Sequence, residues 1–378
     1  MIEFDARLRA VRDLCREGAE DLRSRALAID TDAAAMDEHF DSEVYSLIRQ
    51  SNTPAEYRES VPGSTRLLEA KSTVDDVVAM AEFSRGDTSA LLACPCPALA
   101  GVFVDLLGSP AQKEKFYTTL HGGRTWTFFA MTEKTHGNDA TNMLTRFERD
   151  GDDWKLYGGK RYIGHGARGG IGVVFGRTGK GALSIRGALV EPPKVTGWSA
   201  TRLPMVGLRG AFLSEIEFDG VPVAGDMLLG EHLPVTRRGI WGAMKTFNNM
   251  RIQIAAAAVG TAVAMAEYVA EHRKNAPDVQ LVLARAEAAR ELVYEAAARL
   301  DHAPERGYLS SAAKLGATRM AVETARWAGA ALGPSGLIEH PLVEKWGRDV
   351  CAFEFMDGTT NIQRLHVARG YQVGDADA

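Results

Sequence analysis

Between Trp126 and Phe218 the chain runs through five short β-prone stretches, Trp126 to Met131, Trp154 to Tyr157, Gly172 to Phe175, Ala188 to Val190 and Ser214 to Phe218, parted by Gly, Asp and Pro. On either side the patterning is helical. This order restricts the chain to α+β architectures in which a compact sheet domain sits between two helical ones. Residues 1–122 are expected to be the first helical domain, with apolar spacing at Leu8, Val11 and Leu14 and across Val74, Val77, Val78 and Ala81. Loops are expected at Ser51-Asn52-Thr53-Pro54 and Val61-Pro62-Gly63, and Ser109 before Pro110 reads as a helix cap. Within the β domain, 123–229, Asp150-Gly151-Asp152 between Phe147 and Trp154 is a hairpin signal, because Gly and Asp tolerate positive φ. Residues 230–378 should form a four-helix bundle, with long helices from Trp241 to about His272, Gln280 to Leu300 and Tyr308 to Leu332, broken at Asn275 to Asp278 and Gly333 to Gly336.

Charge narrows the partners. The 44 basic and 49 acidic residues leave a net charge of −5, with no basic excess to attract nucleic acid or an anionic membrane. Met1-Ile2-Glu3-Phe4-Asp5 lacks the basic and apolar segments of a secretory signal, so a cytoplasmic protein is expected. The apolar run from Ile254 to Ala266 is shorter than the ~20 residues that span a bilayer and reads as a buried helix. Cys15, Cys94, Cys96 and Cys351 match no zinc or redox spacing and are expected to be reduced thiols; no metal site is expected.

Several motifs follow one another in a fixed order. Leu107 to Phe116 leads into Phe128-Phe129-Ala130-Met131-Thr132-Glu133-Lys134-Thr135-His136-Gly137-Asn138-Asp139-Ala140, a strand ending in Thr-Glu before a Gly-containing turn. Gly158 to Gly166, Gly207-Leu208-Arg209-Gly210 and Phe218 to Val223 come next. Last come Arg348-Asp349 and Asp357-Gly358-Thr359-Thr360-Asn361-Ile362-Gln363-Arg364. Together these segments, spanning about residues 100 to 370, resemble the acyl-CoA dehydrogenase family.

That resemblance implies FAD and the oxidation of an acyl thioester between its α and β carbons. A carboxylate removes the α proton, and burial suits it to that work by raising its pKa towards neutrality. Asp357 stands where the family places its catalytic glutamate, one methylene shorter, and about an ångström of displacement matters for proton transfer. Asp357 also suits the cap of the final helix, and Glu354 is an alternative base. Some family members carry the base immediately before the arginine that corresponds to Arg251; here that residue is Met250, which closes the option. Arg251 resembles the arginine that holds the base's surroundings.

For the flavin, the resemblance implies that Met131 and Thr132 face the pyrimidine side of the ring and that Asn138 contacts the pyrophosphate. Tyr162 packs as a ring in place of tryptophan. Gly164 replaces a threonine whose hydroxyl contacts the flavin near N5. Thr359 and Asn361 correspond to positions that touch phosphate and ribose. The run Glu271 to Gln280 lacks the family's Phe-Gly, and Ala330 and Pro334 replace a glutamine and a glycine, so the adenine half of the site is altered; Arg273 is a candidate for the missing charge. Asn52 to Arg58 occupies the place of a Gly-rich substrate loop. The implied substrate is therefore an acyl group on a carrier protein, or a short polar acyl-CoA, in secondary metabolism. An electron-transfer flavoprotein and a homodimer or homotetramer joined through the C-terminal bundle are the implied partners. Two other readings stay open: an acyl oxidase that uses O2, and a flavin-free enzyme or partner subunit of the same fold.

Overall fold

The computed structural model describes residues 2–59, 67–68, 72–239, 244–304 and 306–374. The expected loop at Val61-Pro62-Gly63 and the start of the helix expected at Trp241 lie outside them. Among the described residues five α-helices precede the sheet: α1 (Ala6–Thr31), α2 (Glu43–Ser51), α3 (Thr73–Ala93), α4 (Ala98–Leu107) and α5 (Pro110–Thr119). The α1 stripe at helical spacing, Leu8, Val11, Cys15, Ala19, Leu22, Ala26 and Ile29, is buried, and Asp5 caps its start by accepting from the Leu8 amide. Ser109 caps α5 as expected, in a reciprocal pair with Gln112 and with Pro110 in the first turn. The Gln112 amide then donates to the carbonyls of Asp226 (2.7 Å) and Leu228 (3.0 Å), tying this helix to the sheet.

Seven strands form one mixed sheet: β1 (Thr127–Ala130), β2 (Arg146–Asp150), β3 (Asp153–Ile163), β4 (Ile171–Arg177), β5 (Ile185–Val190), β6 (Trp198–Arg202) and β7 (Ser214–Val223). The order is β1-β4-β2-β3-β7-β6, with β5 antiparallel to β4, and β4 runs parallel to β1 and β2. The hairpin at Gly151 (φ 67°) joins β2 to β3. Period-2 alternation splits β4 between two cores. Val173 and Phe175 pack with Phe103, Phe116 and Met131, and Val174 packs on the opposite side with Phe128, Leu156, Ile216 and Phe218. Each such fully buried side chain contributes about 1.5–3 kcal/mol. Strand β6 escapes sequence reading because Trp198-Ser199-Ala200-Thr201-Arg202 is half polar, as suits an edge strand exposed on alternate residues.

The helical pattern resumes with α6 (Met244–His272), α7 (Val279–His302), α8 (Gly307–Leu332), α9 (Gly336–Glu339), α10 (Pro341–Ala352) and α11 (Thr360–Gly374). Among the described residues one helix, Thr246–His272, is long and apolar enough to cross a bilayer. Its interior from Ala255 to Ala266 is almost wholly buried in a core shared with α3, α7, α8 and α10, as expected of a core helix. The long helices α6, α7 and α8 form the body of the bundle, and α10 and α11 pack on α8.

One buried ionic group joins the three parts. The Lys345 ammonium on α10 lies 2.5 Å from Asp87 and 2.6 Å from Asp349. Asp87 interrupts α3 in an extended conformation (φ −167°, ψ 120°) and also accepts from Trp346 Nε1 at 2.9 Å. Asp349 accepts from the amide of Leu208, on the connection between β6 and β7, at 2.6 Å. Burial and the neighbouring Asp87 push the Asp349 carboxyl up to about 6, against the pull of Lys345. The two carboxylates raise Lys345 although burial opposes it.

Candidate active site

Helix α10 ends at Ala352 and α11 begins at Thr360, so Asp357 lies on the connecting turn, two residues before the cap position of α11 at Thr359. Asp357 adopts a left-handed conformation (φ 48°), followed by Gly358 (φ 94°). The positive φ favours glycine at this position, and a Cβ there would also lie 2.5 Å from Gln363 Nε2 and displace that side chain. The turn's carbonyls are held from two sides. From α8, the Lys314 ammonium donates to the carbonyls of Met356 and Gly358, the latter at 2.6 Å. From α11, Gln363 Nε2 donates to the carbonyls of Asp357 (3.1 Å) and Gly358 (3.0 Å). The Thr360 amide closes the turn onto the Glu354 carbonyl at 3.1 Å.

Asp357 keeps part of its surface exposed, yet its carboxyl is densely surrounded by protein and burial raises its pKa, against the opposing fields of Lys314 and Arg251. Burial likewise pushes Lys314 down to about 8, with Asp357 acting in the other direction. Arg251, on α6, donates to Asn248 Oδ1 at 2.9 Å, while its Nε is buried without a hydrogen-bond partner among the described residues. Burial lowers its pKa and Asp357 raises it. His366 on α11 is lowered by burial and by Arg251 and Arg369. Arg251 thus stands within electrostatic reach of Asp357.

The sheet contributes a second edge. Beyond β1, the Met131 carbonyl accepts from Lys160 Nζ at 2.9 Å and the Thr132 carbonyl from the Arg161 amide at 2.8 Å. These carbonyls are committed within the protein, so a ring lying here would meet the amides and the Thr132 hydroxyl. Glu133 accepts from the Leu144 and Thr145 amides at 2.7 and 2.8 Å and pairs with the buried Lys160 at 3.0 Å, fixing the loop that carries Asn138. Tyr162 is 53% exposed in a left-handed conformation (φ 62°), a ring available to pack against a ligand. Among the described residues, a Cβ added at Gly164 would meet the Ala211 carbonyl alone, at an ordinary 3.6 Å, so the position has room for the first atom of a side chain it does not carry.

Asn138 and Thr359 meet across the two domains. Asn138 Nδ2 donates to Thr359 Oγ1 at 2.9 Å, and the Thr359 amide approaches Asn138 Oδ1 at 3.4 Å. Two polar side chains and the first turn of α11, which also carries the exposed Asn361, therefore converge near the Asp357 turn. Amide, hydroxyl and helix N-terminus suit an anionic phosphate. The donor set fits the ring and phosphate half of a flavin. At the stretch expected to hold the adenine half, Arg273 donates to the Ala331 carbonyl and Trp327 Nε1 to the Pro277 carbonyl at 2.9 Å, so both side chains tie the α6–α7 loop to α8.

Sequence reading missed Lys314, Gln363 and the Glu133–Lys160 pair. The signal for Lys314 is present in retrospect: it stands among Ser310, Ser311, Ala313 and Ala317, small residues that all prove buried. A lysine there needs acceptors.

Comparison with known proteins adds the family. The model of the acyl-CoA dehydrogenase middle domain matches residues 128–221 and that of the C-terminal domain matches residues 237–372. A Mycobacterium leprae protein named "Probable acyl-CoA dehydrogenase fadE25" is 30% identical over 309 residues, 77% of this chain and 78% of that one. Among solved structures, a glutaryl-coenzyme A dehydrogenase in complex with glutaryl-CoA shares the fold with a TM-score of 0.84 at 22% identity, covering 99% of this chain and 97% of that one. The prolyl acyl carrier protein oxidase AnaB shares it with a TM-score of 0.80 at 21% identity, covering 97% and 98%. With its helical, sheet and helical domains and its sequence matched along most of its length, this chain belongs to the acyl-CoA dehydrogenase family and is an oxidoreductase.

Proposed function

We propose that the protein binds FAD and oxidises an acyl thioester between its α and β carbons, with Asp357 taking the α proton. The observation that carries this reading is the Asp357 turn: a carboxyl raised by burial, flanked by two cations, beside the Asn138–Thr359 pair. A raised carboxyl is a stronger base than an ordinary one, and it still ionises because Lys314 and Arg251 stabilise its anion. FAD, when bound, supplies the acceptor for the hydride that leaves the β carbon. Asn138, Thr359 and Asn361 would hold its phosphate end, and Met131, Thr132, Tyr162 and the edge at Gly164 its ring. The shorter Asp357 side chain asks the substrate to approach about an ångström closer than a glutamate would.

The acyl group we propose is carrier-protein-bound or short and polar, used in secondary metabolism. The segment in place of a Gly-rich substrate loop supports this: Tyr57 stacks on Tyr117 at 4.9 Å and Arg58 Nε donates to the Thr53 carbonyl at 2.7 Å, a side-chain-built turn. The likeness of fold to a carrier-protein oxidase agrees with it. A second reading, an oxidase using O2 in place of an electron-transfer flavoprotein, is favoured by the vacant space at Gly164. A homodimer or homotetramer belongs to the proposal, supported by the exposure of Phe355 (70%), Leu365 (60%) and Tyr371 (65%) on the C-terminal helices and their connecting turn.

An absorption spectrum tests the cofactor, and anaerobic mixing tests the reaction. Purified protein is expected to carry yellow flavin that candidate acyl thioesters bleach. Protein that stays colourless and takes up no added FAD would overturn the proposal in favour of a flavin-free role.

A further inference from the structure

The connection between α8 and the Asp357 turn goes beyond the identity of the base. We propose that Lys314 is a positioning residue: by donating to the carbonyls on both sides of Asp357 it fixes the turn, and so fixes where the carboxylate faces the substrate. The inference rests on the reading of Asp357 as the base.

Three observations carry it. First, Lys314 is 1% exposed on a helix face otherwise made of Ser310, Ser311, Ala313 and Ala317. A buried ammonium is costly without acceptors, and an apolar residue would fill the space at lower cost. Its two backbone acceptors are the Met356 and Gly358 carbonyls, which bracket Asp357. Second, the turn needs holding. Asp357 (φ 48°) and Gly358 (φ 94°) are both left-handed, and a non-glycine residue held there carries strain of about 1–3 kcal/mol unless its surroundings enforce the conformation. Third, the clamp has two arms on different helices. Gln363 grips from α11, at the C-terminal end of the turn, whereas Lys314 reaches from α8 to the Met356 carbonyl, which precedes the base. Removing Lys314 frees that side.

Lys314 also places a cation near the carboxylate. The charged groups around the pair are Arg251 from α6 and Glu354 on the turn, with His366 of α11 within reach of Arg251 and Arg369 within reach of His366. Loss of the ammonium removes a field that favours the ionised base, so the pH at which Asp357 ionises must rise.

The test compares Lys314→Met, which removes donors and charge, with Lys314→Gln, which keeps an amide donor, alongside Asp357→Asn, all as flavin-loaded full-length protein. For Lys314→Met we expect unchanged flavin content and thioester affinity and anaerobic bleaching slowed about a hundredfold, the loss associated with about an ångström of misplacement. The midpoint of the rate against pH should move upward. Amide hydrogen exchange, read without substrate, should quicken in residues 354–362 and not in the sheet. Lys314→Gln should recover part of the rate while keeping the shifted midpoint. Wild-type bleaching rate and midpoint in Lys314→Met, with Asp357→Asn inactive, would overturn the positioning role alone. Normal bleaching by Asp357→Asn would overturn the reading of the base. If neither Lys314 variant yields folded protein, Lys314 is a folding residue and the proposal fails.

Discussion

Asn138 and Thr359, 221 residues apart in sequence, meet at 2.9 Å where the sheet domain touches the turn before the last helix. Each was singled out from sequence for the phosphate end of a flavin. Their contact joins the part of the chain that would hold the ring to the part that would carry the base. Asn138→Ala is expected to weaken FAD retention about tenfold, a loss of about 1.4 kcal/mol, measured by flavin release on dilution. Thr359→Ala should do the same, and the double variant should cost less than the sum, because contacting residues couple. Strict additivity would mean that the two act separately.

The buried Lys345 group sets how the three domains hold together. Lys345→Met leaves Asp87 and Asp349 facing each other without a cation, and breaking such a group costs about 3–5 kcal/mol. Urea unfolding should show the loss at pH 8. The sign of its pH dependence follows from Asp349, whose folded pKa is already raised to about 6. A raised carboxyl binds more protons folded than unfolded, so it favours the fold as pH falls. Without Lys345 the Asp349 carboxyl rises further, because the cation that holds it down is gone. The difference between variant and wild type should narrow between pH 8 and pH 5, and a constant difference would contradict this account.

Much of the architecture was legible because it rests on periodicity. The amphipathic stripe of α1, the Ser109 cap, the Gly151 hairpin and the Ala-rich core helix each follow from local residue order. The sheet's pairing was not legible: β1 and β2 flank β4 through parallel contacts that no local pattern encodes. At the site, Asp357, Thr359 and Asn138 were legible as candidates because they lie in motifs. Lys314 was not, because its importance comes from two carbonyls more than forty positions away in the chain. Asp87 was missed for the same reason, since its partner Lys345 is 258 positions distant.

The space at Gly164 is the observation on which the oxidase reading rests. An added Cβ meets the Ala211 carbonyl at an ordinary 3.6 Å among the described residues, so Gly164→Thr is expected to fold, with circular dichroism as the check. If that space admits oxygen to the flavin, the variant should lose about tenfold in aerobic reoxidation, about 1.36 kcal/mol of barrier, with its anaerobic bleaching intact. Stopped-flow absorbance reads both steps. Equal reoxidation in the two proteins would remove Gly164 as support for an oxidase.

The central claim is that Asp357 takes the α proton, and single-turnover bleaching of flavin in Asp357→Asn tests it most directly. In the wild-type protein the rate should climb with pH through a midpoint above the ordinary carboxylate range, since burial raises this group and only its ionised form accepts the proton. Asp357→Asn should retain flavin and bind thioester, yet bleach about 10²–10⁴-fold more slowly, the usual worth of a general base, with the pH dependence gone. Bleaching at the wild-type rate would contradict the account and move the base to another residue.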